Sequence, residues 1–303
     1  MTLTYSFRFV FCLVVAVLIP VSVIGQSEDG LDPTTLLEPL ENSWPTYSGD
    51  YTGRRYSALD QVTTENVQRL TLAWTRQMNT GMPSLNGPDS PTFIGGEGTG
   101  EFTIGAQRIK GSILQVGDLL YVTAPDHVWA IDARDGGTRW HYFWKTRGGP
   151  HIGNRGAAIW RNSLFFETVD NYLVSLNAHT GEENWHVEIA SFEEQYFSTM
   201  APIVVGDHLL VGTGNDLDAP GFLQSFDPET GALQWRFYTV PMEPGDPGLD
   251  TWPDLDAARH GGGKCGCPES TTRTRTTTFL EQAIQHLGTQ VLPVPVTTCS
   301  HAH

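Results

Sequence analysis

A short acidic loop is the first candidate for chemistry in this sequence. Residues 214–220 read Gly-Asn-Asp-Leu-Asp-Ala-Pro, which brings the side chains of Asn215, Asp216 and Asp218 close together along the chain. Amide and carboxylate oxygens are the hard ligands that Ca²⁺ prefers in proteins. The same residues would also suit a solvated loop in an acidic protein, and composition alone does not decide between the two.

A second candidate is the glycine-rich stretch 146–160, which contains Arg155. Glycines let a backbone approach a ligand closely, because they carry no Cβ. The Arg155 guanidinium is able to bind a carboxylate through two parallel hydrogen bonds. The alternative for a single arginine is an ion pair at the surface.

Three equivalent threonines show that the acidic loop is an insertion. Thr123, Thr168 and Thr213 are spaced 45 residues apart. In the first two units the Asp or Asn that ends the next strand lies nine positions after this Thr, and in the third unit it lies fourteen positions after it. The extra residues fall within 214–220. Since the sister units fold without them, the insertion is a candidate functional site.

The elements that must position these residues come from an internal repeat over 108–240. Each unit begins with a predicted hairpin around a two-residue turn and ends in a Gly-containing turn followed by a strand with Trp. These tryptophans are Trp140, Trp185 and Trp235, which gives periods of 45 and then 50 residues. That length holds four short antiparallel strands, so the repeat predicts an all-β propeller with tryptophans packed between blades. The stretch 43–74, ending in Trp74, is predicted to form the first blade or part of the closing blade.

Composition excludes several partners. The chain has 303 residues, 39% of them hydrophobic, and a formal net charge of −16. That hydrophobic content is sufficient for a core. The negative charge argues against nucleic acid or an anionic membrane surface as partner, because both attract basic patches.

The N-terminus is predicted to be a secretory signal over residues 1–25. Arg8 precedes an apolar stretch at 9–25, and small residues lie before Gln26. The stretch is short for a membrane anchor, and Gln26 stands where lipid attachment would need Cys. We therefore expect a periplasmic protein without a membrane anchor. Residues 26–263 contain no cysteine, so packing must hold the body together.

The motifs resemble those of the quinoprotein dehydrogenases, which hold pyrroloquinoline quinone (PQQ) in an eight-bladed β-propeller. The resemblance covers about 44–263. It rests on the Trp-ending closures, on YSALDQVTTENVQRLTLAW at 56–74, on NRG at 154–156, on RFYTVP at 236–241 and on DTWPDLDAARHGGG at 250–263. It implies that residues 26–263 form about half of such a propeller, in blades of four antiparallel strands.

The resemblance also implies residue roles. The implied cofactor-binding residues are Arg155, Thr168, Thr213, Gly214 and Asn215. Asp216 stands where the family places a carboxylate ligand to Ca²⁺, which would polarise a quinone carbonyl for hydride uptake. Two positions depart from the family: Gly149-Pro150 replaces a vicinal cysteine pair that is frequent above the quinone, and Lys110 stands where Glu is common.

The tail from 264 to 303 changes character and looks foreign to the rest. It is rich in Thr and contains Cys265, Cys267 and Cys299, in a spacing that fits no usual zinc site. From Lys264 onward, a shifted reading frame permits a family-like sequence that contains the floor tryptophan and a GTGNP stretch. We infer that the frame shifts near Lys264 and expect the tail to be non-native and disordered.

The resemblance implies part of a periplasmic PQQ- and calcium-dependent dehydrogenase that oxidises an alcohol or a sugar and passes electrons to a cytochrome or another acceptor. The family's catalytic Asp lies in a region that this chain lacks, so no catalytic residue is assigned and the chain is expected to be inactive as written. The alternative is a non-catalytic propeller of the same repeat that acts as a protein-binding or assembly scaffold.

Overall fold

The computed structural model is built from three antiparallel sheets of four strands each. It describes residues 31, 40–50, 55–76, 78, 109–147, 153–214 and 218–261. The predicted signal peptide at 1–25 and the tail at 264–303 lie outside these ranges.

In each sheet the strands pair in chain order, as in a meander. The first sheet contains β1 (Leu114–Val116), β2 (Leu119–Ala124), β3 (His127–Asp132) and β4 (Thr138–Phe143). The second contains β5 (Ala157–Trp160), β6 (Ser163–Glu167), β7 (Tyr172–Asn177) and β8 (Glu183–Glu188). The third contains β9 (Ile203–Val205), β10 (His208–Thr213), β11 (Phe222–Phe226) and β12 (Leu233–Tyr238).

The helices of the described residues are short. They are two 3₁₀ turns at Val67–Arg69 and Leu249–Thr251, and the five-residue α1 (Leu255–Arg259). Asp254 caps α1 by accepting a hydrogen bond from the Ala257 N–H at 2.8 Å. Within the described ranges, no helix has the length and apolar character needed to cross a membrane.

The predicted hairpins are confirmed, and the turn residues explain them. Each sheet opens with a two-residue turn, whose first residue has a positive φ: 56° at Gly117, 50° at Arg161 and 61° at Gly206. Such turns match the right-handed twist of the flanking strands and therefore fix the register of each hairpin.

The closing turns repeat one hydrogen-bond pattern. The side-chain oxygens of Asp132, Asn177 and Asp227 accept bonds from the backbone N–H two residues later, each at 2.9 Å. Hydrogen bonds from Arg134 and Arg139 hold the pKa of the Asp132 carboxyl well below its usual range. Each closing turn is thus stabilised by hydrogen bonds between its own residues, immediately before the strand that carries Trp.

The predicted packing of tryptophans between blades is confirmed for Trp140 and Trp185. A Cβ on Gly181 would lie 2.6 Å from Cδ2 of Trp140, and one on Gly231 would lie 2.8 Å from Cε3 of Trp185. Only a glycine therefore lets the indole lie flat on the next sheet's closing turn. The Trp140 Nε1–H also donates to the Ala178 carbonyl at 2.9 Å.

The segment ending in Trp74 repeats this contact without forming a blade of its own in the described residues. The Trp74 indole lies on Gly136 and donates to the Ala133 carbonyl at 3.1 Å. Residues 55–76 contain only the short 3₁₀ turn and no strand. Trp44 instead pairs with Gln115, beside β1.

Two apolar clusters lie between the sheets. One joins the first and second sheets through Leu114, Tyr121 and Phe166, and the other joins the second and third through Phe165 and Leu209. The result is an all-β propeller arrangement of four-stranded antiparallel blades, as the sequence predicts.

Candidate functional site

The candidate residues meet at one edge of the sheets. In an antiparallel meander, the start of the first strand and the end of the second strand lie at the same end of a sheet. Arg155 precedes β5, Thr168 follows β6, and Thr213 ends β10. We call this end, together with the connections between sheets that run along it, the site edge.

Arg155 joins all three sheets through its backbone. Its N–H donates to the Thr199 carbonyl before the third sheet at 3.1 Å, and its carbonyl accepts from the Ser112 N–H before the first sheet at 2.9 Å. The side chain of this residue is half-buried. The backbone of Arg155 is thereby fixed at a point where the segments that precede all three sheets meet.

Glycine and asparagine shape the backbone around Arg155. The Asn154 amide accepts from the Gly156 N–H at 2.9 Å and donates to the Glu167 carbonyl at 3.2 Å. Gly156 has φ of +143°, and a Cβ there would lie 3.4 Å from both the Ala201 side chain and the Ser112 carbonyl. These contacts fix the direction in which the arginine leaves the backbone.

The Thr168 hydroxyl is engaged within its own turn. It donates to Asp170 Oδ1 at 2.7 Å and accepts from the Tyr172 N–H at 2.9 Å. Asp170 also accepts from the Trp144 indole at 2.8 Å and from the Arg147 N–H at 3.0 Å. The hydroxyl proton of Thr168 is therefore available to a ligand only if its bond to Asp170 breaks.

The Thr213 hydroxyl is likewise bonded to protein groups. It donates to the Phe197 carbonyl at 2.9 Å and accepts from Ser198 at 3.2 Å, while the Phe197 N–H bonds to the Gly214 carbonyl at 3.1 Å. Gly214, the first residue of the acidic insertion, is thus held by the connection between the second and third sheets.

The central residues of the insertion, Asn215 and Asp216, lie outside the described residues. The chain is described again from Asp218, which pairs with the His260 Nδ1 at 2.8 Å. This contact raises the pKa of His260. Of the three oxygen-bearing residues in the loop, Asp218 is therefore tied to the DTWPDLDAARHGGG segment. In the described ranges, no three His, Cys, Asp or Glu side chains gather closely enough to hold a metal ion.

Besides Asp170, two buried acids at the site edge were not identified from the sequence. Glu167 is 1% exposed, and neither of its carboxyl oxygens has a hydrogen-bond partner among the described residues. Burial raises its pKa well above the ordinary value. The repeat did contain a signal, because the equivalent positions in the sister units are Val122 and Gly212, and a carboxyl at an interior position is unusual.

Asp126 is the second buried acid, and it links the first two sheets. It is fully buried, and its Oδ1 accepts from the Val169 N–H at 3.1 Å. Burial, together with the charge of Asp170, raises its pKa to about 7. The equivalent residue one unit later is Asn171, whose amide donates to the Tyr196 carbonyl at 2.7 Å. The side chains of Asp126 and Asn171 thus occupy the same position in equivalent turns, and each forms a hydrogen bond to the backbone of a later segment of the chain.

Comparison with known proteins identifies the propeller. Residues 44–264 match the family model described as "Glucose/ethanol/alcohol dehydrogenase, beta-propeller domain". The chain is 34% identical over 212 residues to the dehydrogenase subunit of the quinone alcohol dehydrogenase from Gluconobacter oxydans (strain 621H), covering 65% of this chain and 25% of that protein. It is 32% identical over 215 residues to a quinohemoprotein alcohol dehydrogenase from Comamonas testosteroni, covering 67% and 27%.

Solved structures agree with this assignment. The structure of quinohemoprotein alcohol dehydrogenase ADHIIG from Pseudomonas putida HK5 superposes with a TM-score of 0.63 at 27% identity, over 78% of this chain and 34% of that one. The chain thus spans about a quarter to a third of the length of these relatives. Because the family model matches well over half of the sequence, the chain belongs to the PQQ-dependent alcohol dehydrogenase family.

Proposed function

We propose that this chain supplies the amino-terminal part of the propeller of a periplasmic dehydrogenase, which oxidises an alcohol or a sugar with PQQ and a divalent cation. The observation that carries the proposal is Arg155, a half-buried cation whose backbone is bonded to the segments that precede the first and third sheets. The relatives that cover this region are named as quinone or quinohemoprotein alcohol dehydrogenases. Export of the chain rests on the predicted signal at 1–25.

The described residues fit a polyanionic quinone in two respects. Arg155 provides a half-buried positive charge whose backbone is fixed on both sides. Gly111 and Gly156 leave room for close backbone packing beside it, because a Cβ on Gly111 would lie 2.5 Å from the Thr123 hydroxyl. That hydroxyl is itself buried without a partner among the described residues, which favours a polar occupant nearby.

The residues of this chain would bind and orient the cofactor and would not abstract the substrate proton. When bound, PQQ supplies the hydride acceptor. Arg155 would bind a quinone carboxylate, and the backbone around Gly214 would line the adjoining wall. Thr168, through Asp170, would hold the indole of Trp144 and the backbone of Arg147 in place. Any direct contact of Thr168 with the quinone would require the Asp170 bond to be exchanged.

Asp216 remains our proposed oxygen ligand for the cation, and Asn215 remains a proposed cofactor-binding residue. Calcium is the ion that the hard carboxylate oxygens of Asp216 suit. One relative is named as a lanthanide-dependent methanol dehydrogenase, so a trivalent ion of similar chemistry is the natural comparison. The His260–Asp218 pair would hold the far side of this loop.

The test is a PQQ titration of the 303-residue chain, followed by absorbance and by quenching of tryptophan fluorescence. We expect saturable binding that strengthens when Ca²⁺ is added and loses this response in Asp216→Ala. Asp207→Ala, an exposed acid in the β9–β10 turn, serves as the control. Binding that ignores both Ca²⁺ and Asp216 would refute the metal assignment, and failure to bind PQQ at all would refute the cofactor role. A chain that does not bind PQQ would favour the alternative, a non-catalytic scaffold.

The proposed frame shift has its own test. Sequencing of the gene after the Gly263 codon should show that the shifted frame encodes the family-like tail with its GTGNP stretch. A DNA sequence without that motif in the shifted frame would make residues 264–303 a genuine divergent tail.

A further inference from the structure

Glu167 is a buried acid that the proposed function leaves without a role. It is the last residue of β6, and its register partner on β7 is Leu173. Because side chains alternate along a strand, Glu167 lies on the same face as Phe165, which packs against the third sheet. The carboxyl is therefore enclosed between the second and third sheets at the site edge.

The groups around Glu167 include one charge. Arg155 is the only charged group of the described residues whose field shifts the pKa of Glu167, and it lowers that pKa. The Met200 N–H also lowers it, although neither carboxyl oxygen has a hydrogen bond of normal geometry. The segment 198–202 and the adjoining ends of β7 and β10 add no charged side chain, and their one ionisable group is the phenol of Tyr172 at the start of β7. Burial outweighs both contributions and favours the neutral acid.

The protonation state of Glu167 determines what Arg155 can bind. An ionised Glu167 would be a buried anion next to the guanidinium and would pair with it, which would neutralise the charge that an incoming carboxylate needs. A neutral Glu167 leaves the guanidinium without a counter-charge on that side. The same effect acts in reverse, because an anion bound to Arg155 makes ionisation of Glu167 still less favourable.

We propose that Glu167 is a positioning residue that stays protonated behind Arg155, so that the guanidinium keeps its positive charge for an anionic ligand. This rests on the proposed function, in which that ligand is a carboxylate of PQQ. When the pH rises, Glu167 releases its proton to solvent, its carboxylate pairs with Arg155, and the affinity for the quinone falls. At high pH, binding of PQQ must take up the proton again.

The primary experiment measures the dissociation constant of PQQ as a function of pH. For the 303-residue chain we expect the constant to rise at least roughly tenfold between about pH 6 and about pH 10, since one pKa unit corresponds to a tenfold change. Glu167→Gln keeps the shape of the side chain but cannot ionise, so this difference with pH should disappear. Asp126→Asn, which replaces another buried acid, is the matched control and should keep the pH dependence of the native chain. Identical pH profiles for the native chain and Glu167→Gln would overturn the proposal.

An infrared measurement separates this proposal from the proposed function. The difference spectrum of the native chain minus Glu167→Gln at neutral pH should contain the carbonyl stretch of a protonated carboxyl, with or without PQQ. If neither chain binds PQQ at any pH, the cofactor role fails, and this band alone then decides the state of Glu167. Its presence supports a neutral Glu167 beside Arg155, and its absence shows an ionised Glu167 and overturns the inference.

Discussion

Replacement of Asp126 by Asn should change how the stability of the chain depends on pH. The ordinary pKa of an aspartate is 3.8, and burial raises that of Asp126 to about 7. A raised pKa means that the folded state keeps a proton that the unfolded chain releases. The contribution of Asp126 to the free energy of unfolding therefore falls as the pH rises from about 4 to about 7, and this contribution levels off above that.

The size of this loss follows from the shift. Each pKa unit is worth about 1.4 kcal/mol, so Asp126 lowers the stability by up to about 4 kcal/mol at alkaline pH relative to acid pH. Asn at this position removes the titration and keeps the acceptor for the Val169 N–H. Asn171 shows that an amide suits the equivalent turn, and Asn also tolerates the φ of 60° found at Asp126.

The assay is urea unfolding followed by tryptophan fluorescence, carried out from about pH 3 to about pH 9, which spans both the ordinary pKa of aspartate and the raised pKa of Asp126. We expect Asp126→Asn to match the native chain at the acid end and to exceed it by several kcal/mol at the alkaline end. Asp60→Asn, at an exposed acid, is the control and should follow the native chain throughout. An advantage of Asp126→Asn that is the same at every pH would refute the reasoning.

Two further substitutions test packing and the anion site. Gly181→Ala should destabilise the chain by at least about 2 kcal/mol in thermal unfolding, because its Cβ would overlap Trp140 at a φ of +75°. Gly117→Ala, at a φ of +56° with nothing within 4 Å, should cost only about 1 kcal/mol of backbone strain; equal costs would contradict this view of the tryptophan contact. Arg155→Ala should weaken PQQ binding by roughly 10- to 100-fold in the same fluorescence titration, as expected for a lost charge-assisted hydrogen bond. Arg161→Ala, which removes an exposed ion pair, should leave binding unchanged, and an equal loss in both variants would show that the effect is non-specific charge.

The blades could be predicted from sequence because their determinants are local. The Gly117-Asp118 turn and the closure that begins at Asp132 each form hydrogen bonds within a few residues, so the pattern of residue types is sufficient to specify them. The repeat strengthened the prediction of four-stranded blades, since the same residue types recur in the next unit. Trp140 and Trp185 were likewise identified as packing residues by their spacing alone.

The chemistry of the site edge could not be predicted in the same way, because it depends on contacts between units. Thr168 lies where the family resemblance implies, yet its hydroxyl is bonded to Asp170, a residue that the spacing argument did not use. The loop sequence suggested Asp218 as a third oxygen ligand, but the structure pairs its carboxylate with His260, which lies 42 residues away in the chain. Glu167 could have been identified from its apolar equivalents Val122 and Gly212, but what surrounds its carboxyl depends on the packing between the second and third sheets.

The fold also makes binding and packing of the propeller interdependent. The backbone of Arg155 is held by Thr199 on one side and Ser112 on the other, and these residues precede different sheets. Any loosening between the sheets therefore moves the guanidinium away from the position in which it faces a ligand. By mass action, a ligand that binds only the packed arrangement must in turn stabilise the contacts between sheets. PQQ should accordingly raise the melting temperature of the native chain and have much less effect on the melting temperature of Arg155→Ala.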